Sequence, residues 1–290
     1  MTITDKRIKS NKYCALVTVC KDENQYLKEW IDYHLLIGFD HIRILDNLSK
    51  TPVQETVQEY IDKNLVSVEI NHNKNDKSRQ CKGFKKALEY DLYDYFWVAC
   101  LDVDEFIVLL GDELNIKNYL KKYERFGAVA LNWLMFGSNG HKKTQTSQIE
   151  KFTESFPKCS ANRHVKCIIK PKNFRIFENM HYAYVDYTTV NVHGKRVQGP
   201  LTENFILYEK MRINHYYTRS EEDWNLKRNR GPGDGKNFKD TPEGDSIEGV
   251  KKYTKELFER YSHSGVQNHD IIKLIERIKN EKDSASNNNI

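Results

Sequence analysis

The chain has 290 residues and no apolar run long enough to cross a membrane. Its longest apolar stretch, Tyr95 to Leu110, is broken by Asp102, Asp104 and Glu105. The opening MTITDKRIKSNK is polar and lacks the apolar core of a signal peptide. None of the six cysteines, Cys14, Cys20, Cys81, Cys100, Cys159 and Cys167, forms a CxxC pair, and several sit in apolar runs. They read as small core hydrophobes in a reducing compartment. There is no internal repeat and no nucleic-acid motif. The net charge of +5 is too mild to argue for nucleic-acid binding, though it suits a protein that meets phosphates or a membrane surface. These absences make a cytosolic globular protein the expectation.

What is present fits that class. Hydrophobic residues at 39% and charged residues at 30% are an ordinary soluble balance, and a chain this long can bury a sizeable core. The 17 Tyr, 13 Phe and 4 Trp supply rings of the kind that line sugar and base pockets, although any single ring is better read as core. Ala15 to Cys20 is a short apolar, β-branched run, hence a buried strand. Asp22 with Gln25 forms a capping-box pattern before Leu27, Trp30, Ile31, His34 and Leu35, and Gly38 is placed to stop that helix. His41 to Leu45 is a second strand. Thr51-Pro52 with Gln54 opens another helix. Val66, Val68 and Ile70 alternate as a third strand. A helix with Cys81, Phe84 and Leu88 on one face follows, then a fourth strand from Tyr95 to Leu101.

Strands alternating with helices predict a mainly parallel, Rossmann-like α/β sheet covered on both faces. Ligands then bind beyond the carboxyl ends of the strands, where Lys21, Asp22, Asp46 and Asp102 to Asp104 lie. The second half is less regular. Ala128 to Trp133, Val165 to Ile169 and Tyr182 to Val192 read as strands, and Asn229 to Gly235 as irregular. Amphipathic helical patterns run from about Lys251, with the closing SASNNNI expected to be disordered.

Asp102 and Asp104 form a DxD directly after an apolar strand. Hard oxygen ligands in that place suit Mn²⁺ or Mg²⁺ bridging a diphosphate. The same two aspartates could instead cap a following helix. His215, far along the chain, is a candidate to close the metal coordination, and a satisfied structural histidine is its other reading. Lys227, Arg228 and Arg230, beside Gly231-Pro232-Gly233, could clamp a diphosphate or form a solvated basic loop.

Lys21-Asp22-Glu23, Tyr26-Leu27-Lys28-Glu29-Trp30-Ile31, Tyr33-His34 and Gly38 to Asp46-Asn47 resemble the opening of the glycosyltransferase family 2 and family 92 group. Leu101 to Phe106 resembles the group's metal-binding segment. Trp133, Phe136 to His141, Lys166 with Ile168, Ile169 and Pro171, and His215 to Ser220 with Glu222 and Lys227 resemble its later blocks. The likeness runs from about residue 13 to 235, and it departs from the group at Asp22, where Asn is usual.

The resemblance implies a GT-A fold and a nucleoside-diphosphate sugar donor, a UDP-hexose first, with galactose as the leading sugar. It implies that Val19, Lys21, Glu23, Asp46, Lys82, Asp102, Val103, Asp104, Lys227 and Arg228 bind the nucleotide-sugar. Asp102, Asp104 and His215 would hold the metal, and Trp133 and His141 would line the acceptor side. Inversion needs a carboxylate base; Glu222, Asp223 and Glu203 are the candidates. The acceptor would be a saccharide or a lipid-linked glycan in surface glycan synthesis.

The expected organisation is a GT-A domain over residues 1–250, with a nucleotide half at about 13–110 and an acceptor half at about 111–250. A C-terminal helical extension covers 251–290. Lys251, Lys252, Lys255 and Arg260 could touch an anionic membrane from the cytosolic side, or their helices could pack on the core or form a homodimer. Two rivals stand beside this reading. A DxD phosphohydrolase usually has Thr or Val where this chain has Phe106, and a degenerate sugar-nucleotide-binding relative would have lost its metal. A nucleotidyltransferase would want a glycine-rich loop after the first strand, and Cys20 to Asn24 has no glycine.

Overall fold

The first strand, β1 (Cys14–Cys20), has six of its seven residues buried, as a strand covered on both faces must. The computed structural model describes residues 12–71, 79–202, 206–230, 246–247, 250–251 and 254–287. Helix α1 (Asn24–Leu36) buries Tyr26, Leu27, Trp30, Ile31, Tyr33 and His34. It stops where Gly38 takes φ +109°, and a Cβ there would lie 2.6 Å from the Asn115 amide.

Neither expected capping box forms. Glu23 stands at the start of α1, and its side chain makes no capping hydrogen bond there. Asp22 has a left-handed backbone, and its carboxylate accepts from the Lys50 N–H at 2.8 Å. After β2 (His41–Asp46), helix α2 (Val53–Asp62) starts behind Pro52, also without a local cap. The Asp46 carboxylate fills that gap from the strand end, accepting from Ser49 N at 2.9 Å and Val53 N at 3.1 Å.

Strand β3 (Val66–Ile70) follows, then α3 (Arg79–Lys86), which runs into a π-helical turn over Ala87–Asp91. Phe84, Ala87 and Leu88 pack on one face of the sheet. Strand β4 (Trp97–Cys100) leads into the aspartate turn, and the chain continues as strand β5 (Glu105–Leu109). The two aspartates therefore cap no helix.

The second half begins with α4 (Ile116–Lys121), β6 (Ala128–Met135), α5 (Gln148–Lys151), β7 (Glu154–Ser155) and β8 (Val165–Ile169). Strands β9 (Phe174–Asn179) and β10 (Tyr182–Val185) form an antiparallel pair, followed by β11 (Thr189–Val190). The run from Tyr182 to Val192 is thus two strands rather than one, parted where Tyr187 turns left-handed. Strand β12 (Met211–His215) and helix α6 (Glu221–Arg230) complete the site region, so Asn229 and Arg230 belong to a helix. Then come β13 (Ser246–Ile247), β14 (Val250–Lys251), α7 (Lys255–Arg260), β15 (Val266–Gln267) and α8 (Asp270–Asn287).

The main sheet has the order β3-β2-β1-β4-β8-β6-β12-β5, with β11 beside β6. Strands β3, β2, β1 and β4 are parallel, as read from the alternation of elements. Strand β8 runs antiparallel between β4 and β6, and β12 lies parallel to β6 and antiparallel to β5. Helix α8 buries Ile271, Leu274 and Ile278 in the larger core. It continues to Asn287, so Ser284 to Asn287 of the SASNNNI tail are helical. Ser284 and Ser286 each donate to the carbonyl four residues back, at 2.8 and 2.9 Å.

Candidate active site at the carboxyl edge of the sheet

Antiparallel pairing of β12 with β5 sets His215 opposite Glu105, at the mouth of the aspartate turn. The Tyr216 N–H donates to the Asp104 carbonyl at 2.8 Å, which locks the two segments in register. His215 Nε2 thereby comes within 3.6 Å of Asp104 Oδ1. Lys227, from α6, donates to Asp104 Oδ2 at 2.9 Å and to the Tyr217 carbonyl at 3.3 Å. Its ammonium lies 4.9 Å from the centre of the Tyr217 ring.

The electrostatics follow from burial and these partners. Burial by itself disfavours a charged Asp104, but Lys227 and then His215 outweigh it and hold the carboxyl well below the usual carboxylate range. Burial pushes His215 below its ordinary value against the pull of Asp104, so the imidazole is neutral with a lone pair to offer. A carboxylate oxygen and a neutral imidazole so close together can share one divalent cation. The ammonium of Lys227 on Asp104 shows that this position accepts positive charge. Among the described residues no group of three or more His, Cys, Asp or Glu side chains is arranged to hold a metal.

Asp102 does not join this pair. Its carboxylate is held by Lys166 at 2.9 Å and by Gln80. Lys166 also lies 3.4 Å from Glu105, whose carboxyl burial raises to about 8. Burial works against the Lys166 charge as well, but Asp102 and Glu105 reverse that and keep the ammonium protonated. Lys166 is charged, with the Asp102 carboxylate in hydrogen-bond contact at 2.9 Å.

On the opposite wall, Arg219 has a left-handed φ of 52° and is buried. It pairs with Glu23, donates to Gln148 Oε1 at 2.7 Å and lies 4.5 Å from the Tyr26 ring centre. Glu23 thus orients an arginine rather than facing open space. Lys21 lines a cleft of about 590 Å³ together with Asp22, Lys50 and Leu226, a volume that suits a small ligand. Val19 packs on the core, and Val103 is buried with its carbonyl accepting from Gln148 at 3.4 Å. Lys82 on α3 and Arg228 on α6 are both exposed.

The remaining expectations divide. Trp133 does stand at the site, its ring 4.2 Å from His215 and 5.0 Å from His164. His141 has a structural place instead: its Nε2 meets the Lys151 carbonyl at 3.1 Å and its own carbonyl accepts from Glu221 N at 2.9 Å, at the start of α6. Asp223 accepts from Tyr26, Thr144 and Ser220, so its lone pairs are spent on holding the α6 start and it is no free base. Glu222 is bound by the Thr144 N–H at 3.0 Å and by Lys143, which lower its pKa. Glu203 and residues 231–235 lie outside the described residues. Sequence reasoning gave no role to Arg219, Gln80 or Lys166. Only Lys166 carries a signal of its own, a lysine inside an apolar strand.

The site thus sits on a mixed α/β sheet, parallel in its first four strands, with Asp104, His215 and Lys227 gathered at its carboxyl edge. The chain belongs to glycosyltransferase family 92, whose model matches residues 14–243. Two curated members are similar to it. A family 92 protein of Ricinus communis is 25% identical over 255 residues, 80% of this chain and 43% of its own length. One of Oryza sativa subsp. japonica is 24% identical over 244 residues, 79% of this chain and 40% of its own. The chain thus spans under half the length of these relatives. Among solved structures, S. aureus TarS 1-349 aligns over 55% of this chain and 47% of its own at 15% identity, with a TM-score of 0.36. Glucosyl-3-phosphoglycerate synthase from Mycobacterium tuberculosis aligns over 67% and 74% at 10% identity, with a TM-score of 0.33.

Proposed function

We propose that this chain is a metal-assisted glycosyltransferase that moves a hexose, galactose first, from a UDP-hexose to a saccharide or lipid-linked glycan acceptor with inversion. The observation that carries this reading is the Asp104–His215 pair, with Lys227 on Asp104, at the carboxyl edge of the sheet in a family 92 chain. Asp104 and His215 would hold Mn²⁺ or Mg²⁺, the mixed oxygen and nitrogen set leaning toward Mn²⁺. When bound, such a cation neutralises charge on the leaving diphosphate.

The chain's own residues divide the other work. Lys227 brings a second positive charge to the diphosphate side. Lys21 lies in the wall of the nucleotide cleft, and Asp102 turns its open edge toward the ribose. Trp133 offers a flat apolar face to an acceptor sugar. Glu222 and Glu203 are the carboxylates left to take the acceptor proton. We place the enzyme in the cytosol at surface glycan synthesis. Lys255 and Arg260 on α7 are its candidate contacts with an anionic membrane. Among the described residues no helix is long and apolar enough to cross one.

The test is calorimetric titration of UDP into wild type and Asp104→Ala, with Mn²⁺ and with EDTA. Binding that requires both the metal and Asp104 supports the reading. Equal binding in EDTA removes Asp104 and His215 from it, and no binding under any condition removes the UDP-sugar donor.

A further inference from the structure

Lys166 is a lysine whose side chain has no solvent exposure, in a strand otherwise made of Val165, Cys167, Ile168 and Ile169. Its ammonium sits 2.9 Å from Asp102 Oδ2 and 3.4 Å from Glu105 Oε2. Glu105 in turn accepts from the Asp102 N–H at 2.8 Å, and Gln80 donates to Asp102 Oδ1. Both oxygens of Asp102 are therefore gripped from the protein side, while 29% of its side chain stays exposed. A buried ion pair is a poor way to stabilise a sheet, since apolar residues of similar volume serve as well or better. A carboxylate has about four lone-pair sites, so two gripped from inside leave the rest on the open side.

We infer that Lys166 is a positioning residue. Through its buried ammonium it fixes the orientation of Asp102, keeps that carboxylate apart from the Asp104–His215 pair, and presents its open edge to the nucleotide of the donor. This rests on the reading of the site as a nucleoside-diphosphate-sugar site.

The experiment is a mutant cycle read by UDP titration in Mn²⁺. It uses wild type, Asp102→Asn, the paired variant Lys166→Met with Glu105→Leu, and all three changes together. The paired variant takes out both side chains that have no solvent exposure and leaves only part-exposed Asp102 charged, and the melting temperature checks that the fold survives. Asp102→Asn and the paired variant each weaken UDP binding by about tenfold, as loss of an outer partner does. The triple variant weakens it by no more than about threefold beyond either, because Lys166 acts through Asp102. Losses that multiply to about a hundredfold, or a paired variant with unchanged UDP affinity, overturn the positioning role. Should the paired variant not fold, Lys166→Arg takes its place, since Arg keeps the charge but moves the donors. It is then judged by the same coupling to Asp102→Asn. Failure of wild type to bind UDP overturns the functional reading and this inference together. Binding by wild type with multiplying losses overturns the inference alone.

Discussion

The two walls of the site use the same kind of side chain in different ways. On the wall built by β1 and β2, Asp22 and Asp46 accept from backbone N–H groups, and Glu23 holds Arg219. On the wall built by β5, β12 and α6, Asp104 faces an imidazole and an ammonium that come from other elements. A backbone N–H is fixed by the chain path and cannot be exchanged without unfolding the turn. An ammonium on a long stem can be exchanged for another cation at little cost. The first wall is scaffold, and the second is where a ligand can compete. Asp102 lies between them, gripped like a scaffold residue yet part-exposed like a ligand-binding one.

The two histidines draw the same line, and they provide the largest expected effect. His34 is buried against Trp30 and Phe106, and burial pushes it down to about 3. Its folded value lies below its unfolded value of about 6.5, so it binds fewer protons when folded. The stability this represents is complete above pH 6.5 and is lost as pH falls toward 3, roughly 5 kcal/mol in all. His215, also lowered by burial, acts in the same direction. Urea unfolding followed by tryptophan fluorescence should show this slope, and a flat profile between pH 6.5 and 4 would break the assignment of His34 to the scaffold.

Next in size is Asp104→Ala, which should lower UDP affinity in Mn²⁺ by about a hundredfold, the upper range for a lost metal partner. Its melting temperature should fall modestly, because Lys227 and His215 lose their anionic partner. A large loss of stability with UDP binding intact would move Asp104 to the scaffold wall. Lys227→Met should weaken UDP binding by about tenfold, the size of one charge-assisted contact. A calorimetric titration that finds the variant unchanged would leave the diphosphate to Lys21 and Arg219. The smallest effect belongs to Asp46→Ala. It should cost about 1 kcal/mol of stability, as the loss of a helix-start acceptor does. UDP affinity should change by no more than about twofold, well under one lost hydrogen bond. A tenfold loss of UDP binding without loss of stability would make Asp46 a ligand residue and erase the contrast between the walls.

Much of the first half was legible because its signals are local. β-Branched runs gave β1 to β4, helical spacing gave α1 and α2, and Gly38 marked a stop. The caps were misread because a capping-box pattern describes only neighbours in sequence. Asp46 reaches α2 across a loop, and Asp22 is drawn to Lys50 instead of to its own helix. The second half was harder. Strand β12 is only five residues long, and the β9–β10 pair has no strong alternation, with Arg175 and Ile176 both exposed. The acidic turn was found because an apolar strand ends in it. Lys166, Gln80 and Arg219 gained no role, since nothing next to them in sequence names their partners.

By itself the sequence determined the parallel α/β class, the apolar strand that runs into Asp102-Val103-Asp104, and the family to which these blocks belong. Those properties are written in spacing and hydrophobicity along a few dozen residues. Only the tertiary structure decided that Asp104 rather than Asp102 meets His215, that Lys227 sits on it, and that Asp223 is spent on a helix start. Each of these pairings joins residues brought together by strand register or helix docking. Residues far apart in the chain meet only when the folding of everything between them has placed them within a few ångströms.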